Sequence, residues 1–242
     1  MTDLAPFPLD PATLDPVSLE ADIAARGHAV RPVLDPGACA DIARLWDTGE
    51  NFRKRIVMQE RAYGSGEYRY LAYPLPDPVA RLREAFYPPL AALANAWRDA
   101  LGEAMGEEKR FPPTLRAFLD RCHAAGQTRP TPLLLRYGPD DFNCLHQDLY
   151  GEHVFPLQVV ILLSDPTRDF TGGEFLLVEQ RPRAQSRAEI VPLRQGEAAI
   201  FPVHHRPAQG KRGVYRLTTR HGVSRVRSGD RRTLGLIFHD AA

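Results

Sequence analysis

Cysteine, methionine and tryptophan are scarce in this chain, with three, three and two among 242 residues. The cysteines, Cys39, Cys122 and Cys144, are odd in number, far apart and not in any Cys-x-x-Cys pair. Neither a disulfide framework nor a structural zinc site is suggested by this pattern. Cys144 is read as a small buried hydrophobe. Long apolar runs are also missing: nothing approaches the ~18 consecutive apolar residues of a membrane-spanning helix. The opening, MTDLAPFPLDPATLDP, lacks a basic region followed by an apolar one and so does not read as a signal peptide. A reducing cytoplasm is the expected setting, and the oligomeric state is open.

Net charge is almost absent as well, at +1, but its distribution is uneven. From Glu179 to Arg232, thirteen Lys and Arg stand against four Asp and Glu, a local +9 that leaves −8 elsewhere. Such a segment suits an anionic ligand or substrate, although most of these arginines read as solvent-facing strand residues.

What is present falls into two parts. PVSLEADIAARG and DPGACADIARLWDTG each read as a helix that ends at glycine, with the short apolar HAVRPVL as a strand between them. KRIVMQE and GEYRYLAY read as strands pairing around a turn at Gly64 and Gly66. PDPVARLREAFYPPLAALANAWRDALG has helical periodicity interrupted by Pro88 and Pro89, which predicts one kinked helix or two abutting ones. PPTLRAFLDRCHAAGQ is a further helix. From Pro132 onward, about eight short β-rich runs follow, the pattern of a sandwich or barrel. The predicted class is α+β in one unit spanning 1–242, with a mainly helical support region over 1–130 and a β core over 131–242.

Within NCLHQDLYGEH, His146 and Asp148 are two positions apart in a run that reads as strand. Residues i and i+2 of a strand project to one face and can reach a common point. Two histidines and one carboxylate on one face of an iron leave positions open for substrates, so a third ligand is sought downstream. The candidates are His204, His205, His221 and His239, with His153 nearby. His221 stands out because a strand, a turn at Ser228 and Gly229 and a returning strand would bring Arg231, ten positions on, back beside the metal. An arginine there suits a dicarboxylate.

The spacing His146-x-Asp148, distal His221 and Arg231 resembles that of the iron(II)- and 2-oxoglutarate-dependent dioxygenases. The GGEF turn (172–175) and the ending HGVSRVRSGDR resemble those of the prolyl 4-hydroxylase-like branch, and GHAVRPVLDPGACADIARL resembles the first strand and helix of these enzymes. HQDLYGEHVFPLQVVILLS, FTGGEFLLVEQRPRAQSR and HHRP resemble a prokaryotic oxygenase family described as acting oxidatively on damaged, methylated nucleic acid. The likeness runs from about Leu133 to the C-terminus, without the Asn-x-Arg ending of typical AlkB-type demethylases.

The resemblance implies a double-stranded β-helix, or jelly roll, with the N-terminal helices packed on it. It further implies Fe(II) on His146, Asp148 and His221, with 2-oxoglutarate and O2 as cosubstrates and ascorbate as an auxiliary reductant. Arg231 would pair with the distal carboxylate of 2-oxoglutarate, although its neighbour Arg232 is a rival, and Tyr137 would touch the cosubstrate. Arg181, Arg183, His205 and Arg206 are candidate substrate contacts. The implied reaction is hydroxylation, or demethylation through hydroxylation, with release of succinate and CO2. Three substrate classes stay open: nucleic acid, a peptidyl (prolyl) side chain, or a small molecule. A reading of another class is a metal-free jelly-roll binding protein.

Overall fold

The computed structural model describes residues 11–103, 106 and 109–242. The first ten residues of the proline-rich opening, on which the signal-peptide reading rests, lie outside the described residues. The two first helices form between the stops that the sequence marks. In α1 (Pro16–Arg26), the Asp15 carboxylate accepts from the Ser18 N–H at 2.9 Å, and Gly27 closes the helix in the left-handed conformation. α2 (Pro36–Thr48) repeats the device with Asp35, the Ala38 N–H and Gly49. α3 (Asp77–Ala100) runs as one helix through Pro88 and Pro89, and Thr114 caps α4 (Leu115–Ala124).

In the first half the strands are β1 (Ala29–Pro32), β2 (Phe52–Val57), β3 (Gly64–Ser65) and β4 (Glu67–Leu71). β5 (Leu133–Tyr137), β6 (Phe142–His146), β7 (Leu157–Leu162), β8 (Phe170–Gly172) and β9 (Phe175–Gln180) follow. The last are β10 (Ser186–Val191), β11 (Glu197–Pro202), β12 (His205–Gly210), β13 (Gly213–Val223), β14 (Val226–Gly229) and β15 (Arg231–Leu236).

Two antiparallel sheets carry the architecture. One has the order β1-β11-β7-β15-β5-β4-β2, the other β10-β9-β13-β6-β3, with β12 paired to β13; β8 and β14 pair separately. β7, LQVVIL, is buried along its whole length because both of its faces are covered. Leu157, Val159 and Ile161 join a core with Leu19, Ile42, Phe86 and Phe118 from the four helices. Val160, on the opposite face, joins Phe175, Leu177 and Val223 of the other sheet. The chemistry-bearing residues sit in this second layer, between the sheets.

Three expectations are corrected. β6 ends at His146, so Asp148 is not on the strand but two residues past its end. The segment after His221 is not a hairpin: β13 belongs to the six-stranded sheet, β14 pairs with β8, and β15 crosses into the seven-stranded sheet between β5 and β7. The run KRIVMQE is strand only to Val57, and Met58–Arg61 is a 3-10 turn. β8 and β12 go beyond the expected strands; β12, HRPAQG, has weak intrinsic strand preference and forms by pairing with β13.

Candidate active site

His146 and His221 face one another across adjacent strands, in register, with ring centroids 4.2 Å apart. The Asp148 carboxylate reaches back between them, with His146 Nε2 3.7 Å from Oδ1 and His221 Nε2 3.4 Å from Oδ2. The ligand atoms of all three lie within 4.8 Å of one another, the one such group among the described residues. This is the two-histidine, one-carboxylate donor set suited to iron(II) with open positions.

Neighbouring groups set the donors' states. His146 Nδ1 lies 2.8 Å from the Cys144 carbonyl, so Nδ1 carries the proton and Nε2 presents its lone pair to the centre. The Tyr150 hydroxyl donates to Asp148 Oδ1 at 2.7 Å and itself accepts from Tyr70. Burial opposes ionisation of Asp148, but hydrogen bonding and charge from His221, with His146 and Tyr150 adding to them, hold its carboxyl well below the usual range. Burial, then the charge of His146, lowers the pKa of His221 against the pull of Asp148. His221 Nδ1 is buried without a hydrogen-bond partner among the described residues.

Gln127 fixes the loop that follows Asp148. Its amide donates to the carbonyls of Tyr150, His153 and Asp240, and its oxygen accepts from the His153 N–H. A Cβ at Gly151, where φ is +80°, would lie 2.4 Å from the Gln127 side chain, so glycine lets the loop close on it.

The trio opens into a cavity of ≈ 550 Å³ that is also lined by Tyr137 and Arg231. These two are register partners on β5 and β15, so the crossover that replaces the expected hairpin still delivers Arg231 to the site. Arg231 is 2% exposed, its guanidinium lies over Tyr137 at 5.6 Å, and its Nε and Nη1 have no hydrogen-bond partner among the described residues. Burial lowers its pKa to about 10, with Tyr137 and Glu174 opposing, so it remains a cation at neutral pH. Arg232 points away, to Asp230, Asp47 and the Ala43 carbonyl. Gly172 and Gly173, with φ of +72° and +63°, make the turn beside it; a Cβ on Gly173 would lie 2.8 Å from Arg231 Cδ. Tyr137 is fully buried, accepts from Asn143 at 3.3 Å, and burial pushes its hydroxyl up to about 12.

The other sequence candidates lie elsewhere. Arg181 and Arg183 are exposed on the β9–β10 turn. Arg206 is buried against Glu179, to which it donates twice, and so is committed to the fold instead of to a substrate. His204 and His205 contact each other beside a separate cleft with Trp97 and Phe111. Cys144 is exposed, not buried: it lines the cavity, and its backbone binds His146 and the Tyr63 carbonyl. His239 is buried in the core and its Nδ1 accepts from the Phe155 N–H. Sequence reasoning missed Tyr150, whose i+2 spacing from Asp148 was a usable signal, and Gln127, for which sequence offers none.

Comparison with known proteins agrees with this geometry. Residues 66–241 match a family model described as an oxygenase catalysing oxidative methylation of damaged DNA. An uncharacterized protein of Mycobacterium tuberculosis is 51% identical over 195 residues, 78% of this chain and 82% of the relative. A Pseudomonas putida prolyl-4-hydroxylase superposes with TM-score 0.52 at 14% identity, covering 94% of this chain and 99% of that one. A Burkholderia pseudomallei oxidoreductase of the 2OG-Fe(II) oxygenase family superposes with TM-score 0.50 at 18% identity, covering 94% and 92%. The chain belongs to the oxygenase family whose model it matches and is an oxidoreductase built on the jelly-roll fold of the 2-oxoglutarate- and iron(II)-dependent oxygenases.

Proposed function

We propose that His146, Asp148 and His221 hold Fe(II), that Arg231 receives the distal carboxylate of 2-oxoglutarate, and that the enzyme hydroxylates a carbon of a methylated nucleic-acid base. The observation that carries the reading is the buried guanidinium of Arg231, whose Nε and Nη1 have no partner among the described residues, in the same cavity as the three clustered donors. A buried cation with unsatisfied N–H donors is costly, and a bidentate carboxylate is the ligand that relieves it.

Iron(II), when bound, supplies activation of O2, with 2-oxoglutarate oxidised to succinate and CO2 as the substrate carbon gains a hydroxyl group. The chain's own residues set the conditions. Asp148 stays anionic and His221 neutral at neutral pH, the forms that bind a metal. Tyr137 stays neutral and offers its hydroxyl beside the Arg231 guanidinium. Phe175, Phe201, Val160 and Leu133 line the cavity with apolar surface and exclude water from it. Hydroxylation of an N-methyl group leaves a hydroxymethyl amine that releases formaldehyde, so the activity on such a base is loss of the methyl group. The family description supports nucleic acid; the prolyl-4-hydroxylase likeness carries fold alone.

In this reading, 1–242 works as one domain in which the helical N-terminal region braces the jelly-roll core, supported by the helix and sheet residues that share one core. No helix among the described residues is long and apolar enough to cross a membrane. The cytoplasm is the setting we propose, with ascorbate or a similar reductant keeping the iron ferrous.

Succinate formed from 2-oxoglutarate in the presence of Fe(II) and O2 tests the proposal. Parent protein forms succinate, His221→Ala forms none, and Arg231→Ala requires far more 2-oxoglutarate. Turnover that survives His221→Ala would contradict the assignment.

A further inference from the structure

The three clustered donors share their cavity with a wall that is chemically distinctive. That wall comes from β2, the 3-10 turn Met58–Arg61, the residues after it, and β4, which together contribute Lys54, Arg61, Tyr63, Tyr68 and Tyr70. Lys54 and Arg61 are exposed and have no ion-pair partner among the described residues. Tyr63 is 50% exposed, and its hydroxyl has no partner there. The lining residues include three cations, Lys54, Arg61 and Arg231, but one carboxylate, Asp148, which is committed to the two histidines.

The wall is also registered on the metal centre. The Tyr63 carbonyl accepts from the Cys144 N–H at 2.8 Å, two residues before His146, and Gly64 pairs with Asn143 on the same strand. A Cβ at Gly64, where φ is +132°, would lie 2.3 Å from the Phe142 carbonyl oxygen, so this close approach of β3 to β6 requires glycine. Lys54, Arg61 and Tyr63 precede residue 66, where the family match begins.

We propose that Lys54, Arg61, Tyr63 and Tyr68 form a nucleotide subsite, in which one unstacked base lies against the tyrosine rings while its flanking phosphates rest on the lysine and arginine. The inference rests on the oxygenase reading of the inner site and adds where the substrate sits. Chemistry on a base needs the base out of the stack. Aromatic faces bind any base by stacking, and cations at the rim follow the backbone. A wall with no free carboxylate disfavours a basic peptide and suits a polyanion.

The test is anisotropy of a fluorescein-labelled single-stranded DNA 8-mer titrated with full-length protein, alongside the visible band of anaerobic Fe(II) and 2-oxoglutarate. Lys54→Ala with Arg61→Ala weakens binding at least roughly 10-fold and lowers the slope of log affinity against log salt by about 1.4, from ~0.7 per phosphate on single strands. Tyr63→Ala weakens it roughly 10-fold while Tyr63→Phe does not, because the ring is what stacks. A control double change at Lys211 and Arg212, on the β12–β13 turn away from the cavity, leaves binding within about 2-fold. Parent protein that fails to bind DNA, wall variants that bind like the parent, or a control that loses as much would each overturn the subsite. So would selective binding of an acidic peptide in place of DNA. The band separates the two claims. Wall variants that keep the band and lose DNA support the subsite, whereas a parent that binds DNA through this wall but gives no band keeps the subsite and removes the oxygenase reading.

Discussion

The state of a few side chains decides what this site can do. Tyr150 holds Asp148 Oδ1, and Gln127 holds the loop that carries Tyr150, so under the proposed assignment both would act on a bound metal through the ligand they position. Losing such an outer contact costs ~10- to 100-fold in metal affinity. We expect Tyr150→Phe to weaken Fe(II) binding by about that factor, and Gln127→Ala toward its lower end, measured by metal titration under argon; unchanged affinity in Tyr150→Phe would remove the positioning role. Arg231→Ala should weaken 2-oxoglutarate binding by roughly 100-fold, or about 3 kcal/mol, since it removes one member of a desolvated charge pair. His239 gives a pH effect on folding. Burial holds its pKa at about 4, below the ordinary 6.5, so the unfolded chain binds the extra proton between these values. Stability is therefore fully present above pH 6.5 and is lost as pH falls toward 4, by up to about 3 kcal/mol. Urea unfolding at pH 7 and pH 5 measures the loss, and His239→Gln should flatten it.

Elements carry these side chains by pairing, and here sequence reading was partly right for a different reason than expected. His146-x-Asp148 was legible because its spacing is local, yet the strand ends at His146 and the loop, not the pleat, turns Asp148 inward. The ten-residue interval from His221 to Arg231 was legible as a spacing but not as a topology. The chain leaves one sheet, makes a short pairing between β14 and β8, and enters the other sheet, which periodicity cannot reveal. The helices read well because Asp caps and Gly stops are local devices. The glycine turn between β8 and β9 gives a prediction of its own. Gly173→Ala adds a methyl group 2.8 Å from Arg231 Cδ at a positive φ, at a cost of ~1–3 kcal/mol. It should weaken 2-oxoglutarate binding roughly 10-fold while leaving Fe(II) affinity near the parent's, as calorimetry with each ligand would show.

At the scale of the molecule, the two larger of three hydrophobic cores divide labour. One joins the helices to the seven-stranded sheet, and the other, between the sheets, gives way to the cavity. Of the cations in the basic segment seen in sequence, Arg231 is the one that lines the cavity. Arg206 is buried on Glu179, Arg216 pairs with Glu103 and Arg225 with Asp140, while the cations at the cavity mouth, Lys54 and Arg61, come from the other, net acidic part of the chain. Counting charge along a chain cannot say which face it reaches; only the pairing of strands does. The central claim is that the clustered trio and Arg231 bind iron(II) and 2-oxoglutarate together. Anaerobic titration of the metal-free protein with Fe(II), then with 2-oxoglutarate, tests it directly. The account predicts a weak visible charge-transfer band at one equivalent of each, lost in His221→Ala and recovered in Arg231→Ala only at much higher 2-oxoglutarate. A folded parent protein that gives no band would contradict it.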